Sequence, residues 1–258
     1  MAYSIALAGK GGVGKTSLAG LLIRYMVRRN MTPIMAIDAD ANANLNEVLG
    51  IEVENTIGEL REELLGRDGT QPGGMSKENY FETMLHQMVV EQKGFDLLVM
   101  GRPEGAGCYC FVNNLIRKYS DDLSTRYPYI VTDNEAGLEH MSRRTTQNTD
   151  LLLVVSDPSQ RGIKTARRVL DLAEELKLDI KRTALIVNRV VHEPDPSLLA
   201  LIESLGMELA GWVPADPAIT EYDAKGQAVF HLSDDSPAVI AFEKILDSLE
   251  LGAMVSSG

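Results

Sequence analysis

Apolar runs of four or five residues alternate along the chain with longer segments whose hydrophobic positions recur at helical spacing. Seven runs read as strands: Ser4–Ala8, Pro33–Ile37, Asp96–Met100, Tyr129–Thr132, Leu151–Val155, Thr183–Val187 and Glu208–Trp212. Most are nearly continuous in apolar residues, which suits strands covered on both faces, as in a parallel sheet flanked by helices. The segments between them are long enough for crossover helices. In Thr165–Leu176, the positions Val169, Leu172, Ala173 and Leu176 share one face, with charges opposite. Ser236–Leu251 opens on Ser-Pro and is followed by Gly252, the punctuation of a helix. The stretch Gly50–Gly94 is less regular. It holds the loop signal Asp68-Gly69-Thr70-Gln71-Pro72-Gly73-Gly74 and a methionine-bearing helical segment, Lys77–Val90. It reads as an insertion over about residues 50–94, between the second and third strands. No internal repeat is visible, and residues 1–258 are expected to form one α/β domain with a mostly parallel central sheet and helices on both faces.

Charge narrows the partners. Lys and Arg number 25 against 37 for Asp and Glu, a formal net charge of −12. Such a surface repels phosphate backbones, so no nucleic acid is expected. No run is apolar for long enough to span a bilayer, and Leu249–Gly258 contains no Lys or Arg, so no membrane partner is expected either. The N-terminal residues lack a basic segment ahead of an apolar one, which predicts no signal peptide and a cytoplasmic location.

The chemistry begins directly after the first strand. Gly9-Lys10-Gly11-Gly12-Val13-Gly14-Lys15-Thr16 matches G-x-x-x-x-G-K-[ST], between a strand and a helix. Glycines let backbone N–H groups curl around phosphates, Lys15 reaches the terminal phosphates, and the Thr16 hydroxyl is offered to Mg²⁺. Ser17 continues the loop into the helix. The pattern therefore predicts a P-loop NTPase that takes ATP and Mg²⁺. After the second strand, Asp38 and Asp40 place carboxylates where they can order metal-bound or attacking water, or cap the next helix. Asp133 ends the fourth strand as a magnesium ligand through water, and Gly137 can offer its N–H to the γ-phosphate. Asn188, followed by Arg189 at another strand end, can pair with the adenine edge.

Lys10 stands where a plain P-loop needs no charge. The spelling Lys-Gly-Gly-x-Gly-Lys-Thr resembles the deviant Walker A loop of the MinD/ParA/NifH class of ATPases. That resemblance implies a Lys10 that crosses a homodimer interface to the partner's nucleotide, an Asp40 that positions the hydrolytic water, and an Asp38 near the P-loop lysine and magnesium. Val213-Pro214-Ala215-Asp216 resembles the second adenine-contacting loop of the class, with Pro214 and Asp216 as contacts. Asp133-Asn134-Glu135-Ala136-Gly137-Leu138-Glu139 resembles switch II of the MinD branch, with Glu135 where MinD proteins carry proline.

A Cys-x-Cys pair, Cys108-Tyr109-Cys110, closes the loop Gly101-Arg102-Pro103-Glu104-Gly105-Ala106-Gly107 after the third strand. Two cysteines cannot complete a tetrahedral soft-metal site, but two copies across a twofold axis supply four thiolates for Ni²⁺ or Zn²⁺. A redox pair and two buried thiols are the competing readings. His140 is either a further ligand or an ordinary surface histidine.

That loop, together with Val112-Asn113-Asn114-Leu115-Ile116-Arg117, Glu135–His140 and Asp157-Pro158-Ser159, resembles the CooC family and its AcsF relatives over nearly the whole chain. The resemblance implies a dimeric ATPase that assists nickel insertion into carbon monoxide dehydrogenase or acetyl-CoA synthase, with Cys108 and Cys110 pairing with their symmetry mates around the metal. Many family members have proline where Tyr109 stands. The rivals are a MinD/ParA-like positioning ATPase and a NifH-like reductase with an iron–sulfur cluster between subunits.

Overall fold

The computed structural model describes residues 2–40, 42–66, 75–101, 123, 125–134, 148–192 and 194–251. Its strands are β1 (Tyr3–Gly9), β2 (Ile34–Ala39), β3 (Val90–Glu91), β4 (Phe95–Val99), β5 (Tyr129–Asn134), β6 (Asn148–Ser156), β7 (Asp179–Val190) and β8 (Leu209–Pro214). They form one sheet in the order β3-β4-β2-β5-β1-β6-β7-β8. Every pairing is parallel except β3 with β4.

Strand alternation explains why the apolar runs are continuous. Ile5 and Leu7 of β1, with Leu151 and Leu153 of β6, enter one core, and Ala6, Ala8, Leu152 and Val154 enter another. The first core is closed by α1 (Lys15–Arg28) and by a helix over Pro237–Ser248. The second is closed by α5 (Gln160–Glu175) through Ile163, Ala166, Val169 and Ala173, and by a helix over Pro196–Ser204. β2 is followed by α2 (Leu45–Leu49), and the region of the expected insertion holds α3 (Ile57–Gly66) and α4 (Lys77–Met88). Ile57, Leu60, Phe81 and Leu85 of α3 and α4 pack on Met35, Leu98 and Ile130 of the sheet. The loop signal at 68–74 lies outside the described residues.

Several boundaries differ from expectation. The helix expected over Lys77–Val90 stops at Met88, because Val90 pairs with Leu97 in an antiparallel edge strand. Consecutive β-branched residues, Val89 and Val90, favour that outcome. The terminal helix ends at Ser248, leaving Leu249 and Leu251 to fill the core beyond it. The helix expected from Thr165 begins at Gln160, where the Ser159 hydroxyl accepts the Gly162 N–H at 2.9 Å. The strand expected over Thr183–Val187 extends to twelve residues. The Pro196–Ser204 helix and α7 (Pro217–Ala224) are both announced by an Asp-Pro start, with Asp195 and Asp216 as N-caps; numbering in chain order makes the former α6 and the Pro237–Ser248 helix α8.

Candidate nucleotide site

β5 lies between β1 and β2, so the carboxyl ends of three parallel strands meet. Leu7 is in register with Asp133, and Asp38 with Asp133. Such an edge is where parallel α/β sheets bind ligands. At Gly9 (φ 148°) a Cβ would lie 2.2 Å from the Val155 carbonyl oxygen, so only glycine lets β1 end against β6. Residues 10–14 then loop back to α1. Lys10 is exposed, Val13 is buried, and Thr16 and Ser17 are half-buried. Gly14 caps α1 with φ 89° and no side-chain hydrogen bond. By contrast α4, α5, α6, α7 and α8 each begin with a Ser or Asp oxygen accepting a backbone N–H. The first N–H groups of α1 therefore receive no side-chain cap, which is the arrangement a phosphate group completes. Lys15 is 6% exposed, and its ammonium donates to the Lys10 carbonyl oxygen at 3.2 Å.

The two strand-end carboxylates differ in their partners. Asp38 is fully buried. Its oxygens accept the N–H groups of Asp40 at 3.0 Å and Leu45 at 2.9 Å, so it holds the following loop in shape. Burial pushes its carboxyl up to about 6, against these backbone bonds. The capping role weighed for this pair of aspartates falls to Asp38. Asp40 is half-buried and accepts the Asn42 N–H at 2.8 Å and side-chain amide at 3.0 Å through Oδ1.

Asp133 is 1% exposed, and neither carboxylate oxygen meets the geometry of a hydrogen bond. Burial pushes its carboxyl up to about 7, and Asp38 adds to the rise; the Thr16 hydroxyl and the Lys15 ammonium pull it down. An orphaned, buried carboxylate beside a threonine hydroxyl fits a hard cation with oxygen ligands. Asp133 and Thr16 therefore suit Mg²⁺. Asn134 was not anticipated. Its amide donates to the Leu7 carbonyl at 3.0 Å and ties the end of β5 to β1.

The residues expected to contact adenine have structural partners. The Asn188 amide donates to the Val13 carbonyl at 2.8 Å. Asp216 accepts the Ala218 N–H at 2.9 Å and the Ser236 hydroxyl at 2.5 Å. Burial opposes its charge, but the Ser236, Ala218 and Ala238 bonds outweigh it and hold the carboxyl below the usual range. Arg189 is exposed, and Pro214 ends β8 at the same edge, where the Ala215 N–H donates to the Val190 carbonyl at 2.9 Å. Gly137, Cys108, Cys110 and His140 lie outside the described residues. Among the described residues no cluster of His, Cys, Asp and Glu is placed to hold a metal ion, and no helix is long and apolar enough to cross a membrane.

Comparison with known proteins agrees with this geometry. Residues 4–229 match the family of the CobQ/CobB/MinD/ParA nucleotide binding domain. The chain is 44% identical over 248 residues to an uncharacterized ATP-binding protein of Methanocaldococcus jannaschii, covering 95% of this chain and 97% of the relative. It is 32% identical over 240 residues to the carbon monoxide dehydrogenase accessory protein CooC of Rhodospirillum rubrum, covering 89% and 90%. The fold resembles that of the MinD cell division protein of Aquifex aeolicus, with a TM-score of 0.71, 23% identity and 96% of both chains covered.

Proposed function

The chain belongs to the CobQ/CobB/MinD/ParA nucleotide-binding family and is an ATPase, and from that premise we propose that it couples ATP hydrolysis to delivery of nickel into carbon monoxide dehydrogenase or acetyl-CoA synthase. The observation that carries this reading is the 32% identity to a carbon monoxide dehydrogenase accessory protein, which extends over most of both chains. A cysteine pair in the sequence that follows β4 gives the chain donors suited to such a cargo.

In this reading two copies close on ATP. The uncapped turn of α1 and the P-loop amides hold the phosphates, and Lys15 exchanges the Lys10 carbonyl for the terminal phosphate. Lys10 reaches the partner's nucleotide. Thr16 and, through water, Asp133 would hold Mg²⁺, which would neutralise charge on the phosphate oxygens. Asp40 orients the attacking water, on a loop that Asp38 keeps in register. Closure brings Cys108 and Cys110 of both copies around one nickel ion, and hydrolysis relaxes switch II at Gly137 and opens the cage.

Titration of anaerobic, reduced protein with Ni²⁺, followed by light scattering, tests the cargo site. The expected stoichiometry is one metal per dimer, weakening as pH falls and the thiols take up protons. Cys108→Ala and Cys110→Ala should each cut binding severely, since either removes two of four ligands. One tight metal on a monomer, or equal nickel in the double variant, contradicts the shared site. The second reading, a positioning ATPase, is favoured by the fold likeness to MinD; it predicts ATP-dependent dimers that bind no nickel.

A further inference from the structure

We propose that the contact between Gly20 of α1 and Val48 of α2 is a seat that sets where Asp40 stands relative to the phosphate loop, which makes Gly20 a positioning residue for hydrolysis. The inference rests on the reading that Asp40 orients the attacking water. Gly20 is buried in the interior of α1, where glycine is less favourable than alanine. Close approach explains its presence. A Cβ added at Gly20 would overlap Cγ1 of Val48 and lie 3.7 Å from the Val48 Cβ. Alanine would therefore push α2 away from α1 or turn the Val48 side chain. Valine is stiff about χ1 in a helix, so turning is the costly alternative. Leu45 and Leu49, on either side of Val48, are buried in the first core and press α2 onto this seat. At the far end Gly50 caps α2 with φ 72°, and a Cβ there would lie 2.9 Å from the Ala228 Cβ, so α2 is bounded on that side as well.

The loop that carries Asp40 is joined tightly to α2. One carboxylate holds both of its ends, since Asp38 Oδ1 accepts the Asp40 N–H at 3.0 Å and Oδ2 accepts the Leu45 N–H at 2.9 Å. Between them the Ala43 N–H donates to the Asp40 carbonyl at 3.1 Å, in a turn where Ala43 adopts φ 48°. A shift of α2 is therefore passed to Asp40 or breaks the bond from Leu45 to Asp38. Gly20 lies one turn beyond Thr16 on the same face of α1. The helix that brings Lys15 and Thr16 to the phosphates thus also carries the seat of the loop above them. Asp38 ties that loop to the sheet, and Gly20 ties it to the phosphate-binding helix. Two such references suit a group that must aim a water molecule, because a misplacement of about 1 Å can cost about a hundredfold in rate.

Turnover of Mg²⁺-ATP and calorimetric binding of Mg²⁺-AMPPNP, measured on the full chain, separate this role from a structural one. Gly20→Ala should lower kcat by about tenfold, while AMPPNP affinity stays within about twofold of the parent. Val48→Ala vacates the seat and should lower kcat by about threefold at unchanged affinity. It carries the test if Gly20→Ala does not fold. In the Gly20→Ala/Val48→Ala double variant the alanine methyl takes the space the valine methyl leaves, so kcat should return to within about twofold of the parent. A parental kcat in Gly20→Ala, or in Val48→Ala where only that variant folds, overturns the proposal. So does a double variant no faster than Gly20→Ala, or a loss of affinity in step with turnover, which marks a contact that only supports the fold. Asp40→Ala is measured alongside. Slow Asp40→Ala beside parental Gly20→Ala removes this inference alone, whereas parental turnover in Asp40→Ala removes the reading on which it rests.

Discussion

Replacing Lys15 with alanine is expected to reduce ATP turnover by a factor of about one hundred or more, while the protein stays folded. The ammonium of Lys15 sits inside the phosphate loop and is already turned inward, on the Lys10 carbonyl. It brings positive charge to the position where the terminal phosphate gains negative charge during transfer. The apolar clusters that close the sheet do not depend on that charge, so circular dichroism and the melting temperature should change little. Asp40→Ala should differ in kind. It leaves the phosphate cradle whole, so the variant should bind ATP, hydrolyse it slowly and accumulate as an ATP-bound dimer in size-exclusion chromatography. Normal turnover in purified Lys15→Ala protein would remove the basis for the assigned site.

Asp133→Asn should lose Mg²⁺-dependent turnover and at the same time stabilise the nucleotide-free protein, by an amount that grows as pH rises from about 4 to about 7. In the folded chain the Asp133 carboxyl is raised from 3.8 to about 7, chiefly by burial. Between these values the folded chain holds a proton that the unfolded chain has released. The stability contributed by this proton is therefore full below about pH 4 and is lost as pH rises to about 7. Asp38, raised to about 6 by burial, acts in the same direction over a narrower window. Asparagine keeps the shape and removes the buried charge, so the variant should be more stable than the parent at pH 8, by at most about 4 kcal/mol. The two should be nearly equal at about pH 3.5. Mg²⁺ with nucleotide should stabilise the parent more at pH 8 than at pH 5.5. Melting temperatures across this range test the idea. A variant equally destabilised at every pH would mean that Asp133 supports the fold and is not a carboxylate held in readiness for a cation.

The parts of the site legible in the sequence are those whose roles are local. Gly9 through Thr16 act through backbone shape and one lysine, and neighbours in sequence are neighbours in space. Strand ends were legible for the same reason: a carboxylate after an apolar run falls at the sheet's edge, as Asp38 and Asp133 do. The partners of those groups were not legible. Asn188 and Asp216 were expected to contact adenine from the nucleotide-side edge. Their side chains are also bonded to Val13 and Ser236, contacts that exist only after the sheet has closed. The short helices after Asp195 and Asp216 carried a readable signal, an aspartate cap followed by proline. The edge strand Val90–Glu91 carried almost none, because two residues are too few to show a period.

ATP-driven nickel delivery is tested most directly by activation of a nickel-deficient carbon monoxide dehydrogenase. The protein, loaded with substoichiometric nickel and freed of excess metal, would be mixed anaerobically with the apoenzyme, with and without Mg²⁺-ATP, and carbon monoxide oxidation followed in time. Delivery requires activation that depends on ATP, fails with Lys15→Ala and fails with the Cys108→Ala/Cys110→Ala double variant. Activation at the same rate without ATP, or with the double-cysteine variant in place of the parent, would contradict it.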